Sequence, residues 1–200
     1  GLGFTNNEDS VYGFGGIQNG HTDINIAIKN GASVIIFDDL NYYDSNFNIG
    51  WIFVNDSLQA LKQLATYYVK KNKIKVIAVT GSTGKTTTCQ ALVESLSVFM
   101  KVQKIHRIRN SVLAMCIEIL QNITADHEYL IIEMQMDGYG QIEQFCDVVK
   151  PDIAIITNIN FAHFAKFNSI EEILFEKLAV YRNLNPDGFL LINDDNDILH

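Results

Sequence analysis

The sequence predicts an α/β protein with a mostly parallel, doubly wound sheet, and three observations carry that prediction. Short apolar runs alternate with amphipathic stretches along the chain. Several of the runs, Val76-Ile77-Ala78-Val79 and Ile153-Ala154-Ile155-Ile156 among them, are apolar throughout, as strands covered on both faces are. Amphipathic connections between such runs imply right-handed strand–helix–strand crossovers.

Strands are expected at 34–37, 51–54, 75–80, 129–134, 152–157 and 189–192. Asp56 or Ser57 can cap a helix on which Leu58, Leu61, Leu64 and Tyr68 recur at helical spacing and which ends at Lys70-Lys71. Further helices are expected at 87–99, 111–121, 141–149 and 169–184. The polar cluster Lys70-Lys71-Asn72-Lys73 marks a junction, giving a small Asn- and Gly-rich α/β domain over 1–72 and a second domain over 73–200 that opens on the strongest strand.

Composition excludes several classes. A 200-residue chain that is 48% hydrophobic and 19% charged is globular, with room for one large domain or two small ones. The net charge of −8 leaves no basic surface for nucleic acid, and the apolar runs are too short to enter a bilayer as spans. Cys89, Cys116 and Cys146 are odd in number, widely spaced and set in apolar stretches, which reads as buried thiols in a reducing cytoplasm, not as a disulfide scaffold or zinc site. The chain opens on Gly1 without a signal peptide, so a piece of a longer cytoplasmic protein is expected.

Residues 75–88 read KVIAVTGSTGKTTT: a strand, a glycine-bearing turn, a lysine, then hydroxyl residues opening a helix. Gly81 and Gly84 allow a tight turn whose N–H groups converge on phosphate oxygens, and the following helix aims its positive end at the same place. Lys85 can reach terminal phosphates and the Thr86 hydroxyl can ligate Mg²⁺. The general phosphate-loop pattern G-x-x-x-x-G-K-[ST] has Val79 at its first glycine, and the bland alternative is a glycine turn before a Thr-rich helix start. Glu133 ends an apolar strand at the sheet edge where α/β proteins bind ligands, and a carboxylate near Thr86 would complete a hard-oxygen Mg²⁺ site. Taken alone, His163 reads as structural, and Lys177 as a lysine snorkelling from the apolar neighbours Leu174, Leu178 and Val180.

Together these segments resemble the Mur ligases, ATP-dependent enzymes that form amide bonds in peptidoglycan precursor synthesis. Thr80, Gly81, Ser82, Thr83, Gly84, Lys85, Thr86 and Thr87 follow the family's T-G-[ST]-[NT]-G-K-T-[TS] loop, which also lacks the first glycine. Residues 131–142 (IIEMQMDGYGQI), 150–164 (KPDIAIITNINFAHF) and 169–195 (SIEEILFEKLAVYRNLNPDGFLLINDD) are similar to its strand-end glutamate segment, its T-N-I-x-x-x-H segment and its lysine helix with the N-x-D-D strand. Within the family the dipeptide-adding MurF branch is most similar and the amino-acid-adding MurE branch is the nearest alternative. Asn19-Gly20-His21 and residues 27–32 and 54–61 resemble the UDP-binding domain of both branches.

The resemblance implies a mechanism and a set of roles. Lys85, Glu133, His163 and Lys177 would be catalytic, with ATP on residues 80–87 and its adenosine against Asn193 and Asp195. Thr86 and Glu133 would hold one Mg²⁺, while His163 and a carbamylated Lys177 would share a second. Asn110 would face a UDP-muramoyl-peptide substrate, whose carboxylate becomes an acyl phosphate before an amine, a dipeptide or an amino acid, displaces phosphate. The family's third domain, which binds the amine, has no counterpart before His200, so an incomplete central domain without activity on its own is expected, and a monomer. Gln135 and Gln141 stand where the MurF branch usually has glycine and Gly-Glu-Ile, residues 107–115 lack that branch's glycine and proline, and its early Ser-Arg pair is missing. A nucleotide-binding paralogue without ligase activity is the alternative from another class. A kinase or GTPase would leave His163 and Lys177 without roles.

Overall fold

Alternate burial along β1 (Val34–Phe37) turns Ile35 and Phe37 inward, and β2 (Gly50–Phe53) pairs with it in parallel from Val34–Gly50 to Phe37–Phe53. The computed structural model describes residues 20–105, 111–160 and 166–200. It divides into two compact units, one ending at Leu64 and one beginning at Ala65, so the division falls within α2 (Ser57–Lys71), where the lysine cluster puts it at 72.

In the first unit α1 (Ile24–Lys29) supplies Ile24 to a small core with Ala32, Ile35 and Phe37. Trp51 meets Phe37 edge-on at 5.5 Å. His21 is buried, stacked on Tyr42 at 4.7 Å, with Nε2 3.0 Å from Asp38 Oδ1. The other Asp38 oxygen accepts the N–H of Ser57 at 2.9 Å, and Asp56 Oδ1 accepts that of Gln59 at 2.8 Å, so two carboxylates serve the first turn of α2.

Among the described residues the second unit has a five-stranded parallel sheet in the order β4-β5-β3-β6-β7, formed by β3 (Lys75–Thr80), β4 (Val102–Ile105), β5 (Tyr129–Glu133), β6 (Ile153–Ile156) and β7 (Phe189–Ile192). The central strand β3 is buried from Val76 to Thr80, which is why its sequence is a continuous apolar run. Connections are α3 (Lys85–Leu96), α4 (Val112–Asn122), α5 (Gln141–Val148), α6 (Ile170–Lys177) and α7 (Ala179–Arg182). On one face Cys89 of α3 packs with Ile77, Val79 and Ile131. The α/β class with a mostly parallel sheet is as expected.

Three local features depart from the sequence expectation. The edge strand β4, Val-Gln-Lys-Ile, is too polar to stand out as a buried strand. Helix α3 starts at Lys85, two residues before the predicted start. The helix expected over 169–184 breaks at Leu178, whose N–H is within reach of the carbonyls of both Leu174 and Glu176, separating α6 from α7. Cys89, Cys116 and Cys146 are buried and none is in a disulfide, and burial pushes the thiols of Cys89 and Cys146 up to about 12. Among the described residues no helix is long and apolar enough to cross a membrane.

The order 4-5-3-6-7 sends the chain to one side of β3 and then to the other. The resulting crevice lies at the carboxyl ends of β3, β5 and β6, where Gly81, Glu133 and Thr157 are delivered.

Candidate functional site

The turn from β3 to α3 is held open by glycine and from below by the segment after β6. Gly81 has φ +144°, and a Cβ there would fall 1.9 Å from Thr157 Oγ1. Gly84, at φ +81°, precedes the first residue of α3. Thr157 Oγ1 donates to the Thr83 carbonyl at 2.6 Å. The Ser82 N–H donates to the Asn158 carbonyl at 3.0 Å and the Thr83 N–H to Asn158 Oδ1 at 2.9 Å. Ser82 Oγ accepts the Asn160 N–H at 2.9 Å and donates to the Asn160 carbonyl at 3.0 Å. The N–H groups of Ser82 and Thr83 are therefore engaged with the protein. An anion at this turn would use the first turn of α3, at Lys85, Thr86 and Thr87, whose N–H groups have no acceptor within a helix.

Lys85 folds back over the turn, donating from Nζ to the carbonyls of Gly81 at 2.8 Å and Ser82 at 3.3 Å. Burial holds its pKa below the ordinary lysine value, against the charges of Glu133 and Cys89 that raise it. Lys177, 1% exposed at the end of α6, donates to the same Gly81 oxygen at 3.0 Å. Its pKa falls to about 7, through burial first and the Lys85 charge second, while Glu176 pulls the other way.

Across the pocket Thr86 Oγ1 lies 2.9 and 3.0 Å from the two oxygens of Glu133, and Gln135 Nε2 donates to Glu133 Oε1 at 2.7 Å. Lys85, Thr86, Glu133, Gln135 and Lys177 line a pocket of about 380 Å³. Glu176, 4% exposed, accepts the N–H groups of Gly140 at 2.9 Å and Ile142 at 3.2 Å, capping α5 from α6. Gly140, at φ +74°, has no side chain with which to do so.

The structure thus brings together five of the residues singled out in the sequence: Gly81, Lys85, Thr86, Glu133 and Lys177. Thr80 is buried beneath the turn, and its hydroxyl has no hydrogen-bond partner among the described residues. Thr87 lines the same pocket. Asn193 and Asp195 are exposed beyond β7 and do not line it; Asn193 Oδ1 accepts the Asp195 N–H at 3.2 Å. Asn196 instead ties this stretch to Ile159, accepting its N–H and donating to its carbonyl, each at 3.2 Å. His163 and Asn110 lie outside the described residues.

Sequence reasoning assigned no role to Thr157, Asn158, Asn160, Glu176 or Gln135. The available signal was the T-N-I segment that opens at Thr157 and Asn158; Glu176 is one of three glutamates in α6 and nothing in the sequence sets it apart.

The donor set suits a hard cation and an anion side by side. The Thr86 hydroxyl and Glu133 carboxylate offer hard oxygens, and the helix end and two lysines offer positive charge. Among the described residues no group of three or more His, Cys, Asp or Glu could hold a metal ion, so such a cation would complete its coordination from ligand and water.

Residues 79–200 match the model of the Mur ligase middle domain. The UDP-N-acetylmuramoyl-tripeptide–D-alanyl-D-alanine ligase of Rickettsia prowazekii is 35% identical over 91% of this chain and 40% of its own length. Its counterpart in Bacillus subtilis is 32% identical over 90% and 39%. Among solved structures, MurF ligase from Thermotoga maritima in complex with ADP superposes with a TM-score of 0.79 at 28% identity, covering 90% of this chain and 41% of that one. MurF from Acinetobacter baumannii gives 0.78 at 29% identity over 92% and 40%. The chain spans about two fifths of the length of these relatives. With its middle-domain match and a relative 35% identical across 91% of its residues, the chain belongs to the Mur ligase family.

Proposed function

We propose that the chain is the nucleotide-binding part of an ATP-dependent, MurF-type amide ligase acting in the cytoplasm on a UDP-muramoyl tripeptide and D-alanyl-D-alanine. The observation that carries the reading is the pairing of Thr86 with Glu133 beside Lys85, at the start of α3. In this reading the first turn of α3 receives the phosphates, and Lys85 leaves the Gly81 carbonyl to neutralise the terminal one. Thr86 and Glu133 would hold Mg²⁺, which supplies charge neutralisation for phosphoryl transfer. The substrate carboxylate attacks the terminal phosphorus, forming an acyl phosphate as the bond to ADP breaks. The incoming amine then forms the amide, releasing phosphate and losing a proton. The protein's part in the first step is to position the reactants and balance their charge.

Lys177 carries the second half of the reading. Its buried amine, with a pKa of about 7, supplies the neutral form that adds carbon dioxide with loss of a proton. The resulting carbamate would turn an ammonium into an oxygen ligand, shared with His163 on a second Mg²⁺. Asn193 and Asp195 would meet adenosine, and Asn110 the muramoyl substrate.

Thermal unfolding with and without Mg²⁺ and a non-hydrolysable ATP analogue tests the reading. At a hundred times the dissociation constant the complex gains about 2.7 kcal/mol, and Lys85→Ala loses that gain. A parent chain that gains nothing, or a Lys85→Ala variant that gains as much, overturns it.

A further inference from the structure

Gln135 carries an inference that rests on the nucleotide reading above. Glu133 is 7% exposed, so its carboxylate has exchanged most of its water for protein donors. Among the described residues two donors reach it: the Thr86 hydroxyl and the Gln135 amide, whose 2.7 Å contact on Oε1 is the shorter. The backbone stays extended past the strand end, with the Met134 N–H donating to the Val79 carbonyl at 2.8 Å, and Met134 itself is buried. Side chains two apart on extended chain share a side, which puts Gln135 beside Glu133 on the pocket wall.

The type of donor matters. A lysine or arginine at this place would cancel the Glu133 charge and repel a cation. An amide fixes the carboxylate and leaves its charge intact. We propose that Gln135 is a positioning residue: it pins Oε1 so that the Glu133 charge faces the Thr86 hydroxyl, and so sets how strongly the site holds the divalent cation of a Mg²⁺–nucleotide complex. Groups that orient a metal-binding carboxylate without touching the metal alter metal affinity by about 10- to 100-fold.

The test is calorimetric titration of the chain with ATP in the presence of a chelator and again with excess Mg²⁺. The readout is the ratio of the two dissociation constants, for the parent, Gln135→Met, Gln135→Ala and Lys85→Ala, each first shown to melt cooperatively. Gln135→Met keeps the length and removes the donor. It is expected to cut the Mg²⁺-dependent gain by about tenfold, with Gln135→Ala behaving alike. Lys85→Ala is expected to weaken binding in both conditions. Parent-like or larger gains in both Gln135 variants overturn the inference while leaving the nucleotide reading standing. A parent chain that binds ATP in neither condition overturns the nucleotide reading and this inference with it.

Discussion

Lys85 and Lys177 donate to one acceptor, the Gly81 carbonyl oxygen, at 2.8 and 3.0 Å. Two amines on one oxygen cannot both hold a full charge cheaply, and the more buried of the two yields. Lys177 is displaced to about 7 by burial and by Lys85, whereas burial also lowers the Lys85 value but is opposed there by the nearby Glu133 charge.

That asymmetry makes stability depend on pH with a defined sign. The Lys177 pKa falls from 10.5 in the unfolded chain to about 7 in the fold, so between these values the unfolded state binds more protons. Stability therefore rises as pH increases from about 7 towards 10.5, and is lowest, for this group, below 7. Lys177→Met is expected to stabilise the chain at pH 7 by roughly 1–4 kcal/mol and to flatten the slope above it. Denaturant melts from pH 6.5 to 9.5 on both proteins check this; parallel curves would refute it.

Gly81→Ala should destabilise the fold by about 2–4 kcal/mol, since it combines a left-handed φ with a Cβ driven into Thr157. The double variant with Thr157→Ala removes the closest contact, at Oγ1, and leaves the 3.1 Å contacts with the Cβ and backbone nitrogen of residue 157 together with the backbone strain. It is expected to recover only part of the loss, measured by chemical denaturation. Full recovery would mean that the φ of Gly81 costs nothing.

Glu176→Ala leaves the N–H groups of Gly140 and Ile142 without their shared acceptor, at a cost of about 1–3 kcal/mol. Glu176→Gln retains one acceptor oxygen and should lose less. The same change removes the charge that raises the Lys177 pKa, so the pH dependence above should shift to lower pH. Hydrogen exchange at the start of α5 would locate the effect; unaltered protection there would count against it.

Asp38 provides a separate test in the first unit. Burial works to raise its pKa, and the hydrogen bonds from Ser57 and the charge of His21 outweigh it, so the folded value lies below 3.8. Its contribution is therefore present above the ordinary carboxylate range and lost as pH falls through the lower folded value. Asp38→Ala is expected to cost about 1 kcal/mol at neutral pH, read from unfolding followed by Trp51 fluorescence. An unchanged midpoint would show that the α2 N–H finds water equally well.

Much of this was legible in the chain itself. The burial of β3 on both faces follows from Val76 to Val79 being apolar without interruption, and the glycine turn, Lys85 and Thr86 are contiguous in sequence. Glu133 is readable because it ends an apolar run, and contact with Thr86 follows once β3 and β5 pair in register from Lys75–Tyr129 to Val79–Glu133. These features depend on periodicity and local backbone chemistry, which a sequence displays directly.

What the sequence could not display is which distant groups share an acceptor. Lys177 reads locally as a snorkelling lysine, and only the packing of α6 against the turn buries its amine on Gly81. Asn158 and Asn160 consume the N–H groups and hydroxyl of a loop many residues away, and Glu176 caps a helix to which it does not belong. Strand β4 is a strand because β5 offers it a ladder, not because its residues ask for one. Local patterning fixes which elements form, since it depends on neighbours in the chain; burial and hydrogen-bond partners across the fold depend on the closing of long loops, and that decided the charge and orientation of the site.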